Sequence, residues 1–301
     1  MEKTIKKILK TIQERINNED FKEKHKLKKQ DFTRERKLTF KMVMNFVMGL
    51  ENTSFSIEGI KFCENSKIEK VSTAALCKAR DKIKYTAFRE LLEETQSQIP
   101  KKETYKGYRV IAVDGMKGEL PNTAELMKKY KPSKKALYPQ FHAITSFDVL
   151  NCKFIDAEFE PSPSNERELA YKILEKHVNQ KDIILFDRGF PSLKLIQILN
   201  KKGLKYVARV SKSFMSEINE FIKQKSCDKD IHIDYTYERA KKIKLNDVII
   251  PYSFDLRCVK IHIPGGQIET LITNLPREEF KRKEIGFLTI CGGQLKLTIT
   301  T

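Results

Sequence analysis

Two aspartates in this sequence stand where carboxylates do metal chemistry. Asp114 follows Val110-Ile-Ala-Val113, Asp187 follows Ile183-Ile-Leu-Phe186, and a glycine comes close behind each, at Gly115 and Gly189. An apolar run closed by Asp and Gly predicts a buried strand opening into a turn. Ligands in α/β sheets bind beyond the carboxyl ends of strands, so two such strands, if adjacent and parallel, bring their carboxylates together. Two close anions call for a cation. A pair of Mg²⁺ ions about 4 Å apart, or Mn²⁺ in their place, would neutralise them, activate an attacking hydroxyl and stabilise a departing 3′ oxygen during in-line phosphoryl transfer. Asp-Gly also marks plain turns. Its recurrence at two strand ends of one topology is what points to chemistry.

The elements that must position these residues follow from periodicity. Arg109 to Val113 predicts a strand ending at Asp114-Gly115, and Tyr138 to Phe147 and Cys152 to Phe159 predict two more, joined by a turn at Asp148-Val-Leu-Asn151. Pro161-Ser-Pro-Ser164 stops the sheet, and Asn165 with Glu168 forms a capping pair for a helix to about Val178. Lys181 to Phe186 predicts a strand, Pro191 opens a helix to about Lys202, and Lys205 to Val210 predicts a further strand. In the order β-β-β-α-β-α-β, a right-handed crossover returns the fourth strand parallel to the first. That is an α/β, ribonuclease-H-like topology, placed at residues 107–210. The runs Ile231 to Tyr235, Asp247 to Pro251, Asp255 to Ile263 and Thr270 to Thr273 predict a β-rich insertion over 211–276. Within it, Ile263-Pro-Gly265-Gly266-Gln267 has hairpin chemistry and is no phosphate loop, since no helix follows.

Upstream, residues 1–40 hold 13 Lys and Arg against 7 Asp and Glu, and 1–37 is expected to be a solvated basic arm. Residues 38–100 are expected to be helical. Leu76, Ala79 and Ile83, then Phe88, Leu91 and Leu92, predict two short amphipathic helices meeting near Lys84-Tyr85. Lys78, Arg80 and Lys82 flank the first stripe, where they either face phosphates or form an ordinary solvated surface. The whole chain of 301 residues carries a net charge of +18, which favours a polyanionic partner, although Lys and Asn codons also track AT-rich genomes. Its 40% hydrophobic content is enough for a sizeable core and excludes disorder throughout.

The longest apolar stretch, Met42 to Leu50, is broken by Asn45 and falls far short of the ~18 residues a membrane span needs. The first residues lack a continuous apolar core and a small-residue cleavage site, so the chain is expected in the cytoplasm. Six scattered cysteines with no C-x-x-C pair indicate reduced, mostly buried thiols. Arg188 is expected at a phosphate or in a salt bridge, Arg209 and Lys212 along a DNA groove or a solvated edge, and His142 as a hydrogen-bonded core residue.

Val110-Ile-Ala-Val-Asp114-Gly115, Asn165-Glu-Arg-Glu-Leu169, Ile184-Leu-Phe-Asp187-Arg188-Gly189-Phe190 and Leu271-Ile-Thr-Asn274-Leu275-Pro276 occur in that order. Together they resemble the DDE transposases of bacterial insertion sequences, in the insertion-sequence-four-like subgroup marked by a Tyr-x2-Arg-x3-Glu-x6-Lys signature. The resemblance covers about residues 38–288. It implies a ribonuclease-H-like catalytic domain with a β insertion and a helical, DNA-binding N-terminal region. It further implies metal-dependent cleavage and joining of transposon ends by a homodimer on double-stranded DNA, in a nucleoid-associated protein. Asp114 and Asp187 become the first two acids of the triad.

The third acid belongs on a helix after the inserted strands. A helix is expected from Arg277 to Leu288, but Thr289-Ile-Cys-Gly-Gly-Gln-Leu-Lys-Leu-Thr-Ile-Thr-Thr301 contains no acid and places two glycines where the helix should run. Glu278, Glu279 and Glu284 lack Tyr or Arg at the family spacing, which leaves Glu284 only as the nearest substitute. Back-translated from the third base of the Leu288 codon, with wobble bases chosen, the segment becomes Tyr-Asn-Met-Arg-Trp-Ala-Ile-Glu. The codons of Gly292, Gly293 and Lys296 force most of its Arg, Trp and Glu. Residues 277–301 are therefore expected to be a truncated, frameshifted final helix, leaving the apolar face beneath it exposed and the chain inactive. Two alternatives are a non-catalytic remnant that competes for DNA ends and an Asp-dependent phosphatase or nuclease; for the phosphatase, Asp114-Gly115-Met116 lacks the Asp-x-Asp nucleophile motif.

Overall fold

The structure, a computed structural model, describes residues 2–34, 36–51, 53–99, 103–130, 136–162, 164–234, 253–263 and 266–289. The chain divides into two compact units, Met1–Lys101 and Lys102–Thr300.

Among the described residues, six helices build the first unit: α1 (Glu2–Ile16), α2 (Glu19–His25), α3 (Phe40–Met48), α4 (Phe55–Asn65), α5 (Thr73–Arg80) and α6 (Thr86–Ser97). Each of α2 to α5 starts on a polar cap, Asn18, Thr39, Ser54 or Ser72, whose side chain accepts from the backbone N–H three residues on. The short helices α5 and α6 match the two amphipathic stripes. Residues 1–37, however, are not a solvated arm. Ile16 and Phe21 are buried with Phe40, Met44, Ala87 and Leu91. The basic side chains beside them are answered by two acids on α6: Glu90 accepts from Lys24 at 2.6 Å and pairs with His25 at 2.8 Å and with Arg15, and Glu94 lies 2.8 Å from Arg15. A count of charges registers the cations and misses the narrow apolar stripe that folds them in.

Among the described residues, the second unit is built on one eight-stranded sheet. In chain order its elements are β1 (Arg109–Glu119), α7 (Ala124–Tyr130), β2 (Gln140–Asp148), β3 (Lys153–Pro161), α8 (Glu166–His177), β4 (Asp182–Phe186), α9 (Leu193–Lys201), β5 (Lys205–Val210), α10 (Ser216–Lys223), β6 (Asp228–Asp234), β7 (Ser253–His262) and β8 (Ile268–Thr273). The spatial order is β3-β2-β1-β4-β5-β8-β7-β6. Its first five strands have β2 antiparallel to β1 and β4 parallel to both β1 and β5, which is the ribonuclease-H-like arrangement expected.

The strands beyond β5 are no separate subdomain. β8 pairs antiparallel with β5 and β7 with β8, so they prolong the main sheet. Pairing covers the open edge that β5 would otherwise present. Asp247 to Pro251 lies outside the described residues, and so does Gly265. Gly266 takes a φ of 78° in the β7–β8 hairpin, as the turn chemistry required.

Two cores sandwich the sheet. α8 and α9 bring Leu169, Ile173, Leu195 and Leu199 onto Ile111, Val113, Ile184 and Phe186. On the other face, Leu275, Phe280, Ile285 and Leu288 cover Val110, Ile183, Leu185 and Val259. The last two covering residues come from helical residues 282–289, which start later than the helix expected from Arg277. This cover overturns the exposed apolar face expected there, since Val110, Ile183, Val259 and Leu271 are all fully buried. Residues 290–301, with most of the segment inferred to be frameshifted, lie outside the described residues.

Candidate metal centre

The site begins with a salt bridge some distance from it. Arg109 opens β1 opposite Asp182, which opens β4, and the guanidinium Nε and Nη2 each donate to one carboxylate oxygen at 2.8 Å. That buried acid and its hydrogen bonds raise the Arg109 pKa further. A fork-to-fork pair fixes register as well as distance. From Arg109↔Asp182 the strands stay in step to Val113↔Phe186, and the next residues along are Asp114 and Asp187. Neighbouring strands lie about 4.8 Å apart, so the two acids leave the sheet side by side. Asp114 is not the end of its strand, as the sequence had suggested. β1 runs on to Glu119 paired with β2 alone, and Asp114 is where it loses β4. In this extension Gly118 leaves room for the Phe141 ring: a Cβ there would come within 2.3 Å of it.

Strand alternation sends Asp114 to the face of Val110 and Ala112, the face covered by residues 275–288. Asp114 Oδ1 accepts from Gly115 N at 3.0 Å. Asp187 Oδ1 lies 3.9 Å from Arg209 Nη1, on the neighbouring strand β5. The Nε of Arg209 turns to the buried carboxylate of Glu269 on β8, 3.0 Å away, and Arg188 reaches the other oxygen of Glu269 at 3.0 Å. From the far face, Arg167 in the first turn of α8 donates to the carbonyls of Gly189 and Phe190, each at 3.1 Å, and so clamps the turn that follows Asp187. Sequence reading missed both Glu269 and the part played by Arg167. The signal for Glu269 was a lone acid at the start of the apolar run Thr270-Leu-Ile-Thr273; for Arg167 it was the Asn165-Glu-Arg-Glu-Leu169 motif itself.

Two neighbouring carboxylates are hard oxygen donors suited to Mg²⁺, which binds through one or two carboxylates together with substrate phosphates. The donor set fits such an ion, but among the described residues no three His, Cys, Asp or Glu side chains cluster around one point. Glu278 is exposed, and Glu279 meets Lys106 only through its backbone carbonyl. Glu284 is held 2.8 Å from the Lys106 ammonium, upstream of β1, and the hydrogen bond from Lys106 keeps its carboxyl below the usual range. None of the three joins Asp114 and Asp187.

The remaining sequence candidates separate. In the first unit, Lys78 and Lys82 line a groove of about 880 Å³ with Arg34, Arg36 and Lys37, over an apolar floor that includes Val71 and Ala75. Arg80 stands outside it, 3.7 Å from Asp81 and stacked on Phe55. Lys212 is exposed beyond β5. His142 is a buried histidine hydrogen-bonded to Ser162 and Ser164, as expected. The five described cysteines are free, but only Cys63 and Cys258 are buried, and burial pushes the Cys258 thiol up to about 12. No described helix is long and apolar enough to cross a membrane.

A family model described as "Transposase DDE domain" matches residues 105–288. Among solved structures, the chain is similar to piggyBac transposase in a synaptic complex with hairpin DNA: 13% identity, TM-score 0.45, covering 91% of this chain and 62% of that one. It is also similar to Endonuclease V from Bacillus subtilis, at 13% identity and TM-score 0.28 over 69% of this chain and 82% of that one. The NurA nuclease from Sulfolobus solfataricus matches at 12% identity and TM-score 0.29, over 68% and 81%. No curated protein matches the sequence.

Proposed function

Since the chain belongs to the transposase DDE domain family, which accounts for residues 105–288, we propose that it derives from an enzyme that cuts and joins insertion-sequence ends at Asp114 and Asp187. The observation carrying this reading is the strand register, which makes those two acids consecutive neighbours just past the last β1–β4 pair. Asp114 and Asp187 would hold divalent cations, Mg²⁺ or Mn²⁺. When bound, such ions activate a hydroxyl and stabilise a leaving 3′ oxygen. The chain's own contribution is position: Arg109–Asp182 sets the register and Arg167 braces the turn behind Asp187. Arg188 and Arg209 stand on the acids' flank, where a DNA phosphate would pass. The cationic groove with Lys78 and Lys82 supports DNA binding by the first unit. We assign the chain to the insertion-sequence-four-like subgroup, acting as a homodimer on transposon ends and target DNA.

Residues Thr289–Thr301, where that reading expects the third acid, contain no Asp or Glu. Leu288, where the shifted frame begins, packs on the sheet face that carries Asp114, so the Tyr-x2-Arg-x3-Glu of the shifted frame would follow directly from a helix already on that face. The test is strand cleavage of matched ends with Mg²⁺ or Mn²⁺, comparing this chain with the restored frame. The restored protein is expected to cleave and this one only to bind. Equal cleavage by both would overturn the inactivity and assign the third ligand to another acid. End binding without cleavage, even after the frame is restored, would favour the DNA-binding remnant.

A further inference from the structure

The sheet face that carries Asp114 changes character at that residue. Before it, Val110 is fully buried under residues 275–288. After it, β4 has dropped away and β1 runs on to Glu119 paired with β2, which in turn pairs with β3. Alternation puts Met116 next on the Asp114 face, about 7 Å further along. Ala143 lies opposite Met116 and Phe159 opposite Ala143, so these side chains form one row across the strands. In the next row the Phe141 ring lies over Gly118, and it meets the Phe159 ring with 5.9 Å between centroids and 45° between planes. The row is open to solvent: Met116 is 50% exposed and Phe159 61%. Single exposed apolar side chains are ordinary, whereas a contiguous group of them marks a binding surface.

An exposed ring offers a π face, and a planar base with a free face of its own is a fitting partner. Charge decides what carries that base. The connection between β1 and β2 leaves and returns at the outer end of these strands, and from Lys117 to Lys135 the sequence holds six lysines against two glutamates, a net of +4. Lys128 and Lys129 of α7 are both exposed. Aromatic rings beside a cationic segment suit single-stranded nucleic acid, the rings taking bases and the lysines phosphates. A base inside a duplex is covered by its neighbours and has no face to give.

We propose that Met116, Phe141 and Phe159 form a stacking surface for an unpaired DNA base next to the phosphate being cut, with the lysines of the β1–β2 connection on the flanking phosphates. The inference rests on the reading of Asp114 as an acid of the cleavage centre, which is what sets that phosphate beside the rings.

The chain has no tryptophan, so Phe159→Trp places a single indole on this surface in the full chain. Its emission is expected to be that of an exposed ring, quenched by a duplex with a short single-stranded overhang and not by the same duplex with blunt ends. Stacking on one ring is commonly worth about tenfold in affinity. Phe159→Ala should therefore weaken binding of the overhang duplex by about tenfold, read by anisotropy of labelled DNA, and leave blunt-duplex binding unchanged. Phe159→Tyr should bind as the parent does. Circular dichroism shows whether each variant is folded, and if Phe159→Ala is not, the indole decides alone. Quenching by both DNAs alike, or by neither, overturns the proposal. So does an indole already buried in dilute, DNA-free protein, which would mean that another segment of the chain covers the face. An emission that shifts with protein concentration would give the face to a second copy and overturn it too. Mn²⁺ binding, read from the electron paramagnetic resonance of free Mn²⁺, separates the two readings. An Asp114→Asn variant that binds Mn²⁺ like the parent overturns the cleavage centre and this inference with it, whereas loss of binding there with an unquenched indole overturns this inference alone.

Discussion

The two ends of the β1–β4 pair are built from the same residue types to opposite electrostatic effect. At one end Arg109 and Asp182 face each other as a bidentate pair, with the acid almost wholly buried. Five residues further along the two strands come Asp114 and Asp187, acids of like charge just past the last β1–β4 pair, with Arg209 3.9 Å from one of them. The first arrangement holds a register. The second sets acids in neighbouring register, which the proposed function reads as a place where a cation is bound. One end is thus the ruler for the other.

Breaking the ruler should have the largest effect. Asp182→Ala strands the Arg109 cation and also removes the acceptor of the Asn179 N–H. Arg109 is a third exposed and keeps its bond to the His177 carbonyl, so the loss should be about 1–3 kcal/mol, read by urea unfolding of the full chain. Asp187→Asn is the counterpart at the other end, and in metal-free buffer it should cost clearly less stability than Asp182→Ala. An equal loss from both variants would mean that the acids are structural and the contrast is false.

A smaller effect is expected from loosening the acid end without touching an acid. Arg167→Gln removes the clamp on Gly189 and Phe190 while leaving Asp187 in place. Its Mn²⁺ affinity should fall by about tenfold, with little change in the unfolding midpoint. A large stability loss with unchanged affinity would make Arg167 part of the core support and not of the site.

These contrasts also mark what the sequence could carry. The first half of β1 and all of β4 were legible because Val110–Val113 and Ile183–Phe186 are apolar on both faces, and Asp114 and Asp187 because each breaks such a run. That the two strands are neighbours followed from the crossover rule, but their register did not. It depends on Arg109 finding Asp182 across 73 positions of chain, which no local pattern signals. Glu269 was hidden for the same reason, its meaning lying in Arg188 and Arg209, 81 and 60 positions away. Residues 211–276 are β-rich as expected, but their place in the main sheet was not legible. β8 has the composition of any buried strand, and only the open edge of β5 decides that it joins the main sheet. In residues 1–37, abundant lysine masked an apolar stripe of a few residues.

The smallest expected effect isolates burial, the factor that gives the Arg109–Asp182 pair its strength. On the edge strand β6, His232 lies directly opposite Asp255 of β7, with Nδ1 2.8 Å from that carboxylate and Nε2 3.3 Å from Asp234. The pairing is of opposite charges across two strands, as at Arg109, but every partner is exposed. The hydrogen bond to Asp255, aided by the charges of Asp234 and Asp255, raises the His232 pKa above its ordinary 6.5. A raised pKa in the folded state means that protonation favours folding. The contribution is therefore complete below pH 6.5 and fades as pH rises through the folded-state value. Exposed pairs are screened and weak, so the change should appear in the local amide exchange of β6 and not in the global unfolding midpoint. Titrating His232 by NMR should give a midpoint above the ordinary value that falls back toward it in Asp255→Asn. If the midpoint does not move, the pair does not form in solution. If the global midpoint moves with pH through this histidine, burial is not what separates the two pairs.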